Sequence, residues 1–120
     1  MKKSIIGEKS FAFAIRIVNL YKHLTNEQKE YVLSKQLLRS GTSIGANYRE
    51  ATCAQTPKDF LYKITLCHKE AAETDYWLDL LIQTGYIEAD LAASLKAECL
   101  ELNKMLTSAI IKLKKQGKGE

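Results

Sequence analysis

Residues 33–51 read LSKQLLRSGTSIGANYREA, and the fold turns on whether this stretch is a glycine-rich loop or a helix. Leu37, Gly41, Ile44, Tyr48 and Ala51 step by 4, 3, 4 and 3 residues, the spacing that lines one side of an α-helix. Gly41 and Gly45 each lower helix propensity by about 1 kcal/mol relative to alanine, yet the seam passes through both. The stretch is read as part of one long helix from about Asn26 to Ala54, with room for a bend at the glycines.

The same spacing recurs on both sides of it. Upstream, Phe11, Ala14, Val18 and Tyr21 line one side of a first helix of about four turns, ended by the cap-type residues Thr25 and Asn26. Downstream, Gln55-Thr56-Pro57 breaks the pattern, with Thr56 as N-cap and Pro57 at the first helical position, where a missing N–H costs nothing. A third helix follows with the cleanest seam in the chain, Phe60, Ile64, Cys67, Ala71, Thr74, Leu78 and Leu81, and Gly85 stops it. After the connector GYIEAD, Leu91, Leu95, Cys99, Leu102, Leu106, Ala109 and Leu113 mark a fourth helix, and the tail KKQGKGE is read as frayed.

Four amphipathic helices on short connectors pack most economically as an all-α, antiparallel up-down-up-down four-helix bundle, with helices crossing at roughly 20°. The 120 residues suit a single domain, residues 1–120, with a short flexible N-terminus and a basic C-terminal tail. The composition is 46% hydrophobic and 27% charged with one proline, that of an ordinary helix-rich globular chain. No apolar run approaches the roughly 20 residues that span a bilayer, and the start MKKSIIGEKS lacks the apolar core of a signal peptide. The expected compartment is the cytoplasm, with no membrane partner. Cys53, Cys67 and Cys99 have no CxxC spacing and fall inside helical patterns, so they are read as buried small hydrophobes.

Catalytic chemistry has no foothold in these residues. GxGxxG, Walker A, GxSxG and HExxH are all absent. A di-metal carboxylate bundle needs Glu-x-x-His pairs, and neither His23 nor His68 follows a glutamate by three residues. Glu70 and Glu73 point off the third seam and are expected to pair with Lys69 and its neighbours. No metal, cofactor or catalytic residue is assigned.

What remains is binding. The net charge is +4, with lysines concentrated at the two ends, where solubility is one account of them. On the second helix, at about 100° per residue, Lys35, Arg39 and Arg49 fall within roughly 80° on the side opposite the Leu37/Tyr48 seam. Two of the chain's three arginines share that stripe. Arginine forks onto phosphates and carboxylates, so the stripe is a candidate surface for RNA or DNA backbone; a solvated face or salt bridges to acids is the plainer account. The small residues around Gly41 and Gly45 permit close approach on more than one face, Tyr62 and Tyr76 sit near the outer side of the third helix, and Trp77 follows immediately. These five residues are the candidate subunit interface of a homo-oligomer.

Two stretches carry a resemblance over about residues 10 to 113. One is the pattern Gln-x-x-Arg-x-x-x-Ser-Ile-x-x-Asn-x-x-Glu, here Gln36, Arg39, Ser43, Ile44, Asn47 and Glu50; the other is the run KEAAETDYWL from Lys69 to Leu78. The chain resembles the 23S rRNA intervening-sequence proteins, or S23 proteins, and is similar to the accessory variability proteins of diversity-generating retroelements. It departs from the pattern at Gly45, where proline or alanine is frequent, and at Ala51, where glycine is. The resemblance implies an antiparallel four-helix bundle, a homopentamer, no enzymatic activity, and nucleic-acid or protein partners. The resulting expectation is a non-enzymatic ring in which several copies of Lys35, Arg39 and Arg49 hold a nucleic-acid backbone. The competing expectation is a scaffold for a protein partner.

Overall fold

The computed structural model describes residues 4–118; expectations about the first three and last two residues lie outside that range. It contains four helices, α1 (Ile5–Asn26), α2 (Leu33–Ala51), α3 (Pro57–Gln83) and α4 (Ala89–Lys118), and no strand among the described residues.

Local chemistry explains the boundaries. Ser4 caps α1 by accepting from the Gly7 N–H at 3.2 Å. α1 ends at Asn26, as the sequence predicts, with the Thr25 hydroxyl donating back to the Tyr21 carbonyl inside the last turn. At 22 residues α1 has about six turns rather than four. The chain reverses through Lys29, whose φ of 56° is left-handed. The second helix then begins at Leu33, not near Asn26, because the Glu30 carboxylate gathers the N–H groups of Val32, Leu33 and Ser34 at 3.2, 3.0 and 2.7 Å. Its end is Ala51, three residues short of the expected one.

The third helix starts as its sequence dictates, with Pro57 in the first turn and Thr56 Oγ1 accepting from the Asp59 N–H at 3.0 Å. Its end is a Schellman closure: the Tyr86 N–H donates to the Leu81 carbonyl at 2.9 Å and Gly85 N–H to Ile82 at 3.1 Å, with Gly85 at φ +85°. The fourth helix continues through the segment expected to fray, as far as Lys118.

Cross-links show that each neighbouring pair is antiparallel. Gly41 lies against Ile17 and Gly45 against Ser10. Arg39 meets Glu70 and Glu73, and Glu50 meets Lys63. Lys96 reaches Asp75 and Asp79, both at 2.6 Å. The ring closes where Lys9 and Arg16 of α1 pair with Glu101 and Glu98 of α4. Each helix packs on its two neighbours and none crosses the diagonal, which is the up-down-up-down four-helix bundle the seams predict.

Phe13, Ile17, Leu20 and Leu24 from α1 meet Leu37 and Ile44, Ile64, Leu78 and Leu81, and Leu95, Leu102 and Leu106 from the other helices in a common core. Each such side chain contributes about 1.5–3 kcal/mol on full burial. The α1 face is the one that sequence spacing misplaced: Phe11 is 54% exposed, and the buried line is Ser10, Phe13, Ile17, Leu20 and Leu24. Two apolar lines run along this helix, and the glycines of α2 decide which one is buried. The α2, α3 and α4 seams hold, with Tyr48, Phe60, Leu91, Ala109 and Leu113 half-buried at their edges.

Candidate functional site

The basic stripe of α2 is largely engaged within the chain. Arg39 Nη1 donates to Glu70 Oε2 at 3.2 Å, and its Nη2 bonds Glu73 Oε2. The Glu73 hydrogen bond, with the charge of both glutamates and the Glu70 hydrogen bond, holds the guanidinium pKa above its usual value against the opposing effect of burial. Glu70 and Glu73 are therefore partners of α2 across the helix interface rather than of Lys69. Arg49 is exposed, with its guanidinium carbon 5.6 Å from the centre of the Phe11 ring, in cation–π range. Lys35 is exposed and makes no ion pair among the described residues. The two ends of the stripe are about 21 Å apart at 1.5 Å per residue.

The small residues also find partners inside the chain. A Cβ on Gly41 would lie 2.9 Å from both Cγ atoms of Ile17, and one on Gly45 would lie 3.3 Å from Ser10 Oγ. Ser40 Oγ lies 3.0 Å from Thr74 Oγ1 in the core. The close approaches expected of a subunit interface at Gly41 and Gly45 are those of α1 against α2; Thr42 and Ala46 are left facing outward.

Of the three aromatics, Tyr62 and Tyr76 are exposed as expected, 61% and 59%. Trp77 is half-buried against the core, edge-on to Tyr76 with ring centres 5.1 Å apart. Its Nε1 is buried with no hydrogen-bond partner. Tyr62 and Tyr76 are about 21 Å apart along α3 and belong to different surfaces.

One groove does gather predicted residues. Gly45, Arg49 and Tyr62 line an open depression of about 1360 Å³ between the first half of α1, the last half of α2 and the first turns of α3. Phe11, Ala14 and Ala46 form its apolar part, and Glu8, Glu50, Asp59 and Lys63 its charged rim. Glu50 is held by Lys63 at 2.8 Å. Its mixed charge and exposed aromatic rings suit a protein surface better than a polyanion.

The groups considered for chemistry stay quiet. Cys67 and Cys99 are buried, and burial pushes each thiol up to about 12. Cys53 is exposed, contrary to its reading as a core residue, because α2 ends two residues before it. Among the described residues no cluster of histidine, cysteine and carboxylate side chains could hold a metal ion, and no helix is long and apolar enough to cross a membrane.

Sequence reasoning understated the end of α4. Lys104, Lys112, Lys114 and Lys115 are all exposed and make no ion pair among the described residues. The signal was present in the composition, since no acid stands between Glu101 and Lys118, but solubility accounted for it equally well.

No curated protein is significantly similar to the chain. The crystal structure of a protein of unknown function from the S23 ribosomal protein family of Bacteroides thetaiotaomicron is 57% identical, covers 88% of this chain and 98% of its own, and superposes with a TM-score of 0.87. A family model described as the 23S rRNA-intervening sequence protein matches residues 2–108, which include both sequence patterns and all four helices up to two turns past Glu101. By that match, and by two motifs that bond to each other across α2 and α3, the chain belongs to the 23S rRNA-intervening sequence protein family.

Proposed function

We propose that this protein is a non-enzymatic, self-assembling helical bundle whose basic surface binds the phosphate backbone of RNA or DNA, with a homopentamer as the assembled form. The observation that carries the nucleic-acid part is the division of cations. Lys9, Arg16, Arg39, Lys63 and Lys96 are neutralised by acids of the same chain, whereas Lys35, Lys104, Lys112, Lys114 and Lys115, and singly Lys22, Lys29, Lys58 and Lys69, are exposed with no ion pair among the described residues and keep their charge for an outside partner. Unneutralised lysines on a rigid surface displace counterions from a polyanion, giving affinity with little sequence preference and a steep dependence on salt. The family's description, which refers to 23S rRNA, agrees with such a partner.

Assembly is supported by the groove, where exposed Phe11 and Tyr62 present apolar surface that a second copy would cover. The same groove supports a second reading, a scaffold for a protein partner, for example as an accessory subunit of a partner enzyme. Two measurements test the proposal. Fluorescence anisotropy with a structured RNA is expected to show binding at about 50 mM salt that weakens by orders of magnitude at about 200 mM; no binding at the lower salt rejects the nucleic-acid reading. Light scattering is expected to give a multiple of 13.6 kDa, and a monomer at micromolar concentration rejects assembly. A partner protein retained after nuclease treatment supports the scaffold instead.

A further inference from the structure

The second half of α4 differs from the rest of the surface. From Leu102 to Lys118 the sequence contains Lys104, Lys112, Lys114, Lys115 and Lys118 and no aspartate or glutamate. At about 100° per residue, Lys104, Lys112 and Lys115 share an arc of roughly 80° opposite Leu102 and Leu106, and Lys114 flanks it. The structure exposes Lys104, Lys112, Lys114 and Lys115 and turns Leu102, Leu106, Ala109, Ile110 and Leu113 inward. The two acids that precede this segment are occupied: Glu98 by Arg16 and Glu101 by Lys9.

Helix lengths make this end a projection. The fourth helix has 30 residues and the second 19, or about 45 Å against about 28 Å at 1.5 Å per residue. Lys9 of α1 stands beside Glu101, and α1 begins only four residues before Lys9. The final turns of α4 therefore pass beyond α1 and lie next to the start of α3, where Lys58 is also exposed. Lys112, Lys114 and Lys115 also lie beyond the family match, which ends at residue 108.

We propose that this projecting lysine face of α4, rather than the arginine stripe of α2, is the principal phosphate-binding surface of the protein, and that its partner is a nucleic-acid backbone. The inference rests on the nucleic-acid reading above and assigns it a place. From Lys104 to Lys115 the face spans about 16 Å, the axial length of about five successive phosphates of one strand at 3.4 Å each. A lipid surface fits less well. An interfacial helix needs a free apolar face to enter the acyl boundary, and here that face is turned into the bundle, leaving Ile111 as the one large apolar side chain exposed among these lysines. In a ring with cyclic symmetry the α4 ends of all copies lie on one side, so that a single polyanion meets several of them together.

The test compares the full-length chain with a variant carrying Lys112→Gln, Lys114→Gln and Lys115→Gln, using a fluorescein-labelled RNA duplex across a salt series. The variant is expected to bind about tenfold or more weakly at low salt, with its log–log salt slope shallower by about 2.7, at ~0.9 for each phosphate no longer neutralised. The same positions changed to arginine restore binding, and thermal unfolding confirms that each variant is folded. Unchanged slope and affinity in the glutamine variant overturn this assignment while the nucleic-acid reading stands. Failure of the unaltered protein to bind RNA at low salt overturns both. Binding to phosphatidylserine vesicles without binding to RNA overturns the choice of partner.

Discussion

Thr74 Oγ1 lies 3.0 Å from Ser40 Oγ, and neither side chain has any exposed surface. This contact joins the two stretches that characterise the family, since Ser40 falls within the Gln36–Glu50 pattern and Thr74 within the Lys69–Leu78 run. Arg39 with Glu70 and Glu73 reinforces it on the outside. The motif residues Arg39, Ser43, Asn47 and Glu50 are thus occupied by α3 or by their own helix, and much of the pattern describes how α2 and α3 stay in register.

Replacing Thr74 by valine keeps its shape and removes a hydroxyl that also reaches the Glu70 carbonyl at 2.7 Å. Ser40 is left with a long bond to the Leu37 carbonyl, 3.4 Å. The expected cost is about 1–2 kcal/mol in urea unfolding. The double change Thr74→Val with Ser40→Ala recovers part of it, because no buried polar atom is then stranded.

Gly41 and Gly45 separate by the same measurement. An added Cβ at position 41 meets Ile17 at 2.9 Å, so Gly41→Ala costs about 1–3 kcal/mol from overpacking despite the gain in helix propensity. Ile17→Ala, which removes both contacted Cγ atoms, relieves that close contact in combination. At position 45 the neighbour is Ser10 Oγ at 3.3 Å, and Gly45→Ala is close to neutral, since about 1 kcal/mol of propensity offsets the tighter contact.

Stability falls in acid through Glu30. Burial alone raises the pKa of its carboxyl, but the N–H groups of Ser34, Leu33 and Val32 outweigh that and hold it below the usual 4.5. A lowered folded value means that the stabilisation is fully present above the unfolded pKa and is lost as the pH falls from that value through the folded one. Glu30→Gln therefore costs about 1 kcal/mol at neutral pH. The difference between the two proteins closes as the pH drops below 4.5; a difference independent of pH assigns the effect to packing.

The three thiols respond differently to a disulfide reagent. Cys53 is exposed and reacts in the native protein, while Cys67 and Cys99 are buried with thiols pushed up to about 12. One equivalent is expected to react quickly, and the other two only when the bundle opens in denaturant. Rapid native reaction of Cys67, which sits on the α3 seam, contradicts this packing.

The sequence by itself determined the helix count, the caps of α3 and the buried lines of α2, α3 and α4, because local backbone chemistry and apolar periodicity act over a few residues and do not depend on partners. Thr56, Pro57 and Gly85 do in the structure what their residue types require. It could not determine which of two apolar lines on α1 is buried, since that choice belongs to Gly41 accepting Ile17 from another helix. Nor could it separate free cations from bound ones: Arg39 and Lys35 lie on the same stripe, but Arg39 faces two glutamates that are more than thirty residues away in the chain. The tertiary structure alone decided these points. An ion pair or a close approach is a property of distance in space: α3 neutralises Arg39, while Lys35 on the same stripe and the lysines Lys104, Lys112, Lys114 and Lys115 of α4 make no ion pair among the described residues.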